Sequence, residues 1–196
     1  MNIDMSSEKV AGNVSVLKLP IEGYKKLKKA YIPYKFLKRI TDIVLSFVLL
    51  IGLLPVFAII SLAIKLESKG PILFKHTRIG KDGKIIKIYK FRSMVENAED
   101  LIQKFTPEQM KEYEENYKLS DDPRITKVGK FLRKTSLDEL PQLINIIKGD
   151  LAIIGPRPVV ANELKKYGTN IKKFLSVTPG LTGYWEHYYW NWNCDF

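Results

Sequence analysis

Cysteine and histidine are nearly absent from this chain: Cys194 stands alone, and His76 and His187 lie far apart. A lone cysteine excludes an internal disulfide, and two separated histidines offer no zinc-ligand spacing. A reducing cytosolic setting is therefore permitted, and each histidine reads as a surface or packing residue. Acidic side chains are also short in supply, with 21 Asp and Glu against 32 Lys and Arg, for a formal charge of +11. That excess suits nucleic acid, an anionic membrane surface or a phosphorylated substrate, and by itself does not choose among them. A length of 196 residues allows one domain with a sizeable core plus an appendage, and is too short for two ordinary domains.

Charge is missing altogether from Ile43 to Ile64, IVLSFVLLIGLLPVFAIISLAI, a stretch of 22 residues. This is about the length that crosses a hydrocarbon core as a helix. The run begins too late for a signal peptide and is followed by Lys65 rather than a small-residue cleavage site. Gly52 and Pro55 sit in its middle, and a proline there removes a backbone hydrogen bond, so a kink near residues 51 to 55 is expected. Residues 23 to 42 hold seven Lys or Arg and residues 65 to 84 hold six. Basic flanks are retained on the cytoplasmic side, so both ends ask for the same face. A re-entrant helix that bends at Pro55 satisfies both, and a simple span is the weaker reading. Upstream, residues 25 to 41 mix lysines with Tyr31, Tyr34, Phe36 and Leu37, as suits a lipid headgroup region. Residues 1 to 24 show no strong period and read as a tail.

Beyond the apolar run, ILFKHTRIG and KIIKIYKF flank Lys81-Asp82-Gly83, which predicts a β-hairpin with an Asp-Gly turn. Residues 96 to 117 read as solvated helix, with Pro107 starting its second part. Asp122 before Pro123 marks one helix start, and a second helix is expected from about Leu137 to Lys148, stopped by Gly149. Its buried stripe would be Leu137, Leu140, Leu143, Ile144 and Ile147. Within RKTSLDELPQL, Asp138 and Glu139 then fall in a first helical turn with Pro141, where the helix dipole favours ionised carboxylates. Ser136 with Glu139 also fits a capping box, a purely structural use that is compatible with chemistry. LAIIGPRP reads as a short buried strand ending at Arg157, whose two flanking prolines leave its guanidinium aimed with little ordering cost. A rigid turn with a solvated arginine is the plainer alternative.

Taken together, KIYKFRSM (87 to 94), DPRITKVGKFLRKTSLDELPQLINIIKGD (122 to 150), IIGPRP (153 to 158) and PGLTG (179 to 183) resemble the bacterial sugar transferase family. These are the monotopic phosphoglycosyl transferases that begin lipid-linked glycan assembly, and the likeness runs from about Phe36 to Gly183. It implies transfer of a phosphosugar from a UDP-sugar to a membrane polyprenyl phosphate such as undecaprenyl phosphate, with release of UMP. It further implies Asp138 as nucleophile through a covalent phosphosugar-aspartate, Glu139 as its partner, and Mg2+ held at the two. Arg133 and Arg157 match family arginines near the phosphate, and Lys90 and Arg92 of KIYKFRSM are taken as further phosphate or substrate contacts. Downstream glycosyltransferases are possible partners, and exopolysaccharide or capsule assembly the setting.

The expected fold is α+β and mostly helical. Residues 1 to 24 form a tail, 25 to 65 a basic interfacial segment and re-entrant membrane helix kinked at Pro55, and 66 to 196 a small catalytic domain with a short β-hairpin. The expected location is the cytoplasmic face of the bacterial inner membrane. After PGLTG the family usually continues with a Gln, a Gly-Arg pair and several dozen more residues. Here YWEHYYWNWNCDF follows, with seven aromatics in 13 residues. That departure keeps open an inactive membrane-anchored relative that binds nucleotide sugar or lipid without turnover. A nucleic-acid binder fits poorly, because an uncharged 22-residue run has no place in one and no such motif is visible.

Overall fold

A computed structural model describes residues 7–10, 14–17, 32–116 and 119–183. The readings made for residues 25 to 31 and for the aromatic segment 184 to 196 lie outside the described residues. Two short strands, β1 (Ser7–Val10) and β2 (Val14–Leu17), pair antiparallel inside what the sequence suggested was a featureless tail. Four-residue strands are too short to show a clear period in sequence.

The apolar run divides into α1 (Ile32–Gly52) and α2 (Leu54–Glu67), bent by 61° about Leu53. Pro55 sits in the first turn of α2, where its missing N–H costs nothing, so the bend falls where proline chemistry directs it. No single helix among the described residues is long and apolar enough to cross a membrane, although the bent pair together is. Their outer faces leave Val44, Phe47, Val48, Ile51 and Leu62 exposed. Their inner faces pack on the remainder of the chain. Leu50 and Leu53 meet Ile86, Ile88, Leu143, Ile146 and Leu151. Val56, Phe57, Ile60 and Ile64 meet Phe91 and Leu132.

The predicted hairpin forms as β3 (Leu73–Ile79) and β4 (Ile85–Phe91), with Asp82 and Gly83 both at positive φ in the turn. The second helical region contains α3 (Pro107–Asn116), begun at Pro107 as expected. Helix α4 (Lys127–Lys134) starts later than Asp122-Pro123 suggested, because Thr126 takes the cap by accepting from the Gly129 N–H at 2.9 Å. Asp122 instead turns its carboxylate to Arg124, accepting from Nε at 2.8 Å and Nη2 at 2.6 Å.

Helix α5 (Gln142–Lys148) is shorter than the expected 137 to 148 element. Ser136 adopts a left-handed backbone (φ 56), and Leu137–Glu139 form a single 3-10 turn before Pro141. A capping residue needs extended backbone, so Ser136 makes no side-chain cap and the capping box does not form. The tighter turn also shifts the helical phase. The deepest positions become Gln142, Leu143, Asn145 and Ile146, with Ile144 and Ile147 half-buried. Gly149 ends α5 with φ 94, the left-handed position that glycine supplies cheaply. Beyond it β5 (Ala152–Ile154) runs parallel to β6 (Gly180–Thr182), with α6 (Ala161–Leu164) and α7 (Ile171–Leu175) between them. Only Ala152 at the start of β5 is fully buried, and Ile154 is exposed.

Asn145 joins the hairpin to α5. Its Oδ1 accepts from the Tyr89 N–H at 2.9 Å, and its Nδ2 donates to the Lys87 carbonyl at 2.8 Å and to Asp150 at 3.2 Å. The side-chain amide thus replaces a neighbouring strand along the free edge of β4. Asn145→Ala leaves two part-buried backbone groups without this partner and is expected to cost about 1–3 kcal/mol in chemical denaturation of detergent-solubilised protein. Asn145→Asp, which cannot donate to Lys87, is expected to be destabilised as well.

Candidate active site

Alternation along β4 puts Ile86, Ile88 and Lys90 on one face, and the register places Arg78, His76 and Phe74 of β3 directly opposite them. Lys90 reaches the turn between α4 and α5. Its Nζ donates to Glu139 Oε1 at 2.6 Å and lies 3.9 Å from Asp138 Oδ2. Helix α4 brings Arg133 from the other side, where its Nε donates to Ser93 Oγ at 2.9 Å. Close approach is permitted by Gly129, because a Cβ there would run into the Ser93 carbonyl.

Asp138 is buried, at 8% exposure. Burial raises its pKa above the ordinary 3.8 and the adjacent Glu139 adds to the rise, while Lys90 and Arg133 oppose it. The helix dipole does not decide its state, because the residue precedes α5 instead of occupying its first turn. Burial likewise lowers the Arg133 pKa, against which Asp138 and Asp122 act.

The remaining sequence candidates separate. Arg157 is exposed, and its charge falls on His76 and Arg78. Pro156 beside it lines a mostly apolar cleft of about 470 Å3 with Ile154, Phe174 and Val177. Arg92 stands apart. Its guanidinium donates to the Lys69 carbonyl at 2.5 Å and to the Ser68 carbonyl at 2.8 Å, fastening the end of α2 where a phosphate contact was expected.

Two residues were missed. Arg78 lies within the field of Arg157 and Glu139, and its guanidinium is 3.4 Å from both Glu163 Oε2 and His76 Nδ1. His76, read as a surface or packing residue, is half-buried beside these cations. Burial and then Arg78 bring its pKa to about 4, so it is neutral at pH 7. Counting the hairpin register outward from Asp82-Gly83 would have placed both on the face of Lys90.

Among the described residues no three Asp, Glu, His or Cys side chains form a metal-binding group. Asp138 and Glu139 nevertheless suit magnesium, which is commonly held by one or two carboxylates with substrate phosphates completing its shell. A buried carboxylate whose ionised form lacks full compensation fits such a cation.

A carboxyl with a raised folded-state pKa binds its proton more readily folded than unfolded. Its stabilising contribution is present below 3.8 and is lost as pH rises through the raised value, above which the ionised group costs stability. Asp138→Asn is therefore expected to melt at a higher temperature than the unaltered protein at neutral pH. The gap should shrink as pH falls below the ordinary carboxylate range, which thermal melts across pH would measure.

The model of the bacterial sugar transferase family matches residues 33–195, which include every element from Pro33 onward and the Asp138-Glu139 turn. Undecaprenyl-phosphate galactose phosphotransferase of Salmonella typhimurium is 44% identical over 155 residues, covering 78% of this chain and 32% of that protein. Exopolysaccharide production protein ExoY of Sinorhizobium fredii is 45% identical over 152 residues, 76% of this chain and 67% of that protein. UDP-glucose:undecaprenyl-phosphate glucose-1-phosphate transferase of Escherichia coli is 42% identical over 166 residues, 82% of this chain and 33% of that protein. The chain thus spans 32% or 33% of the length of several curated relatives it matches. With the family match running through the bent apolar helices, the hairpin and the carboxylate turn, the chain belongs to the bacterial sugar transferase family.

Proposed function

We propose that this chain is a phosphoglycosyl transferase that moves a phosphosugar from a UDP-sugar to a membrane polyprenyl phosphate. The observation that carries the reading is the carboxylate turn itself. Asp138 and Glu139 lie side by side with Lys90 at 3.9 and 2.6 Å, in a turn whose flanking Leu137 and Leu140 pack on the cluster that holds Ile60 and Ile64 of α2. The relatives whose names specify undecaprenyl-phosphate and UDP-glucose or galactose chemistry support the substrate class.

In the proposed reaction an Asp138 carboxylate oxygen attacks the phosphorus that carries the sugar. The bond to the bridging oxygen breaks, and UMP leaves with that oxygen and the electron pair, so that an acyl phosphate holds the phosphosugar. A phosphate oxygen of the polyprenyl phosphate then attacks the same phosphorus. The bond to Asp138 breaks, its carboxylate is restored, and the product is a polyprenyl diphosphate sugar. Attack of anion on anion needs offsetting positive charge. Lys90 and Arg133 stand beside the dyad, and Arg78 and Arg157 form a second cationic patch on the same side of the hairpin, fit for the diphosphate. Asp138 and Glu139 would hold magnesium, which would supply further positive charge against this repulsion. Burial limits the access of water to the Asp138 carboxylate. Glu139 is the more exposed carboxylate and accepts the second nucleophile's proton when that phosphate carries one.

The bent pair α1 and α2 lies in one leaflet of the inner membrane in this reading, with both ends on the cytoplasmic face. Basic flanks on both sides of the apolar run support it. The arrangement brings the lipid phosphate and the carboxylate turn to the same surface.

UMP release from detergent-solubilised protein, supplied with magnesium, undecaprenyl phosphate and a panel of UDP-sugars, tests the reading. One sugar should support release, and Asp138→Asn should lower that rate by about 10^3-fold or more. Release at an unaltered rate in Asp138→Asn would contradict the assignment. No release with any sugar from folded protein would point to a membrane-bound relative without turnover.

A further inference from the structure

The carboxylate turn has three residues, Leu137–Glu139, and is entered through a left-handed Ser136. So short a segment does not set its own position. Its place is determined by α4, which runs into it, and α5, which leaves it after Pro141.

The far ends of both helices are closed by charged side chains from the bent membrane-type pair. Glu67, the last residue of α2, accepts from the Lys127 N–H at 2.7 Å and the Val128 N–H at 3.0 Å, the first two amides of α4. Arg39 of α1 donates from Nη1 to the Ile146 carbonyl at 2.6 Å and from Nη2 to the Ile147 carbonyl at 2.9 Å, in the last turn of α5. A helix exposes unpaired N–H groups at its start and unpaired carbonyls at its end, with partial charges to match. A carboxylate at the first and a guanidinium at the second are therefore complementary in both hydrogen bonding and charge. Local residues do only part of this work: the Gly149 N–H bonds the Asn145 and Ile146 carbonyls at 3.0 Å each, so Arg39 adds a second donor to Ile146 and reaches on to Ile147. Thr126 takes only the third amide of α4, and a side chain added at Gly149 would approach Arg39 Nη2 to 3.2 Å. The glycine keeps that space clear as well as supplying the turn.

We propose that Arg39 and Glu67 are positioning residues through which the bent pair α1 and α2 sets the catalytic turn, one from each side. The bend between them fixes the spacing of the two clamps. A bilayer that seats the pair thereby also seats Asp138 against Lys90. The inference rests on the proposed function, in which Asp138 is the nucleophile.

The test uses the full chain in nanodiscs containing anionic lipid. The variants are Arg39→Gln, Arg39→Lys, Glu67→Gln and Asp138→Asn. The readouts are kcat and KM for UMP release, melting temperature, and amide hydrogen exchange across residues 135–141. Misplacement of a reacting group by about 1 Å can cost about a hundredfold, so kcat in Arg39→Gln and Glu67→Gln is expected to fall by about tenfold to a hundredfold. KM for the UDP-sugar should stay within about twofold and exchange across the turn should quicken, because the loss is of placement and not of ground-state binding. Arg39→Lys should recover only part of kcat, since an ammonium does not span two carbonyls as a planar fork does. Unaltered kcat and exchange in both single variants would overturn the proposal. So would a loss of rate that matches the loss of folded protein. Unaltered UMP release in Asp138→Asn would instead refute the functional reading, and the exchange measurement would still report whether the two clamps hold the turn.

Discussion

The Asp138 carboxylate is buried, and burial opposes the ionised form that a nucleophile needs. Lys90 and Arg133 supply the opposing charge. Neither is adjacent to Asp138 in sequence, so the site exists only when β4 and α4 are both correctly seated. Lys90 depends on the register of the hairpin, and the register depends on the Asp82-Gly83 turn and on Asn145 pairing the outer edge of β4. Arg133 depends on the close approach of α4 at Gly129 and on the hydrogen bond to Ser93. Packing, backbone register and chemistry thus meet at one carboxyl group.

The same dependence extends to the apolar helices. Ile60 and Ile64 of α2 are buried against Phe91 and Leu132, which end β4 and line α4. Leu50 and Leu53 on either side of the bend cover Ile86 and Ile88 beneath the hairpin. The helices that carry the exposed apolar surface are therefore also walls of the catalytic core. In the proposed seating at a membrane, this shared core would orient the domain as well as hold it near lipid, which an anchor on a loose linker would not.

Much of this was legible in the sequence where one local rule dominated. Pro55 and Gly52 within the uncharged run foretold the bend, Asp82-Gly83 the hairpin, Pro107 the start of α3, and Gly149 the end of α5. The reading failed where two rules competed. Ser136 and Glu139 satisfy the capping-box pattern, yet Glu139 meets Lys90 from a strand far away in sequence, and Ser136 is left-handed. Asp122 before Pro123 looks like a helix start, yet Arg124 claims its carboxylate. Arg92, taken with Lys90 of KIYKFRSM as a phosphate or substrate contact, donates to the carbonyls just after α2. Arg78 was overlooked, and His76 read only as surface or packing, because their place on the Lys90 face is created by strand pairing, which composition and helical spacing do not encode.

The most direct test of the account is the mass of the protein after incubation with its UDP-sugar and magnesium in the absence of polyprenyl phosphate. An added sugar phosphate should map to the peptide containing Asp138, disappear on later addition of the lipid acceptor, and fail to form in Asp138→Asn. An adduct on Glu139, or UMP released only when the acceptor is present and with no adduct at any time, would contradict it.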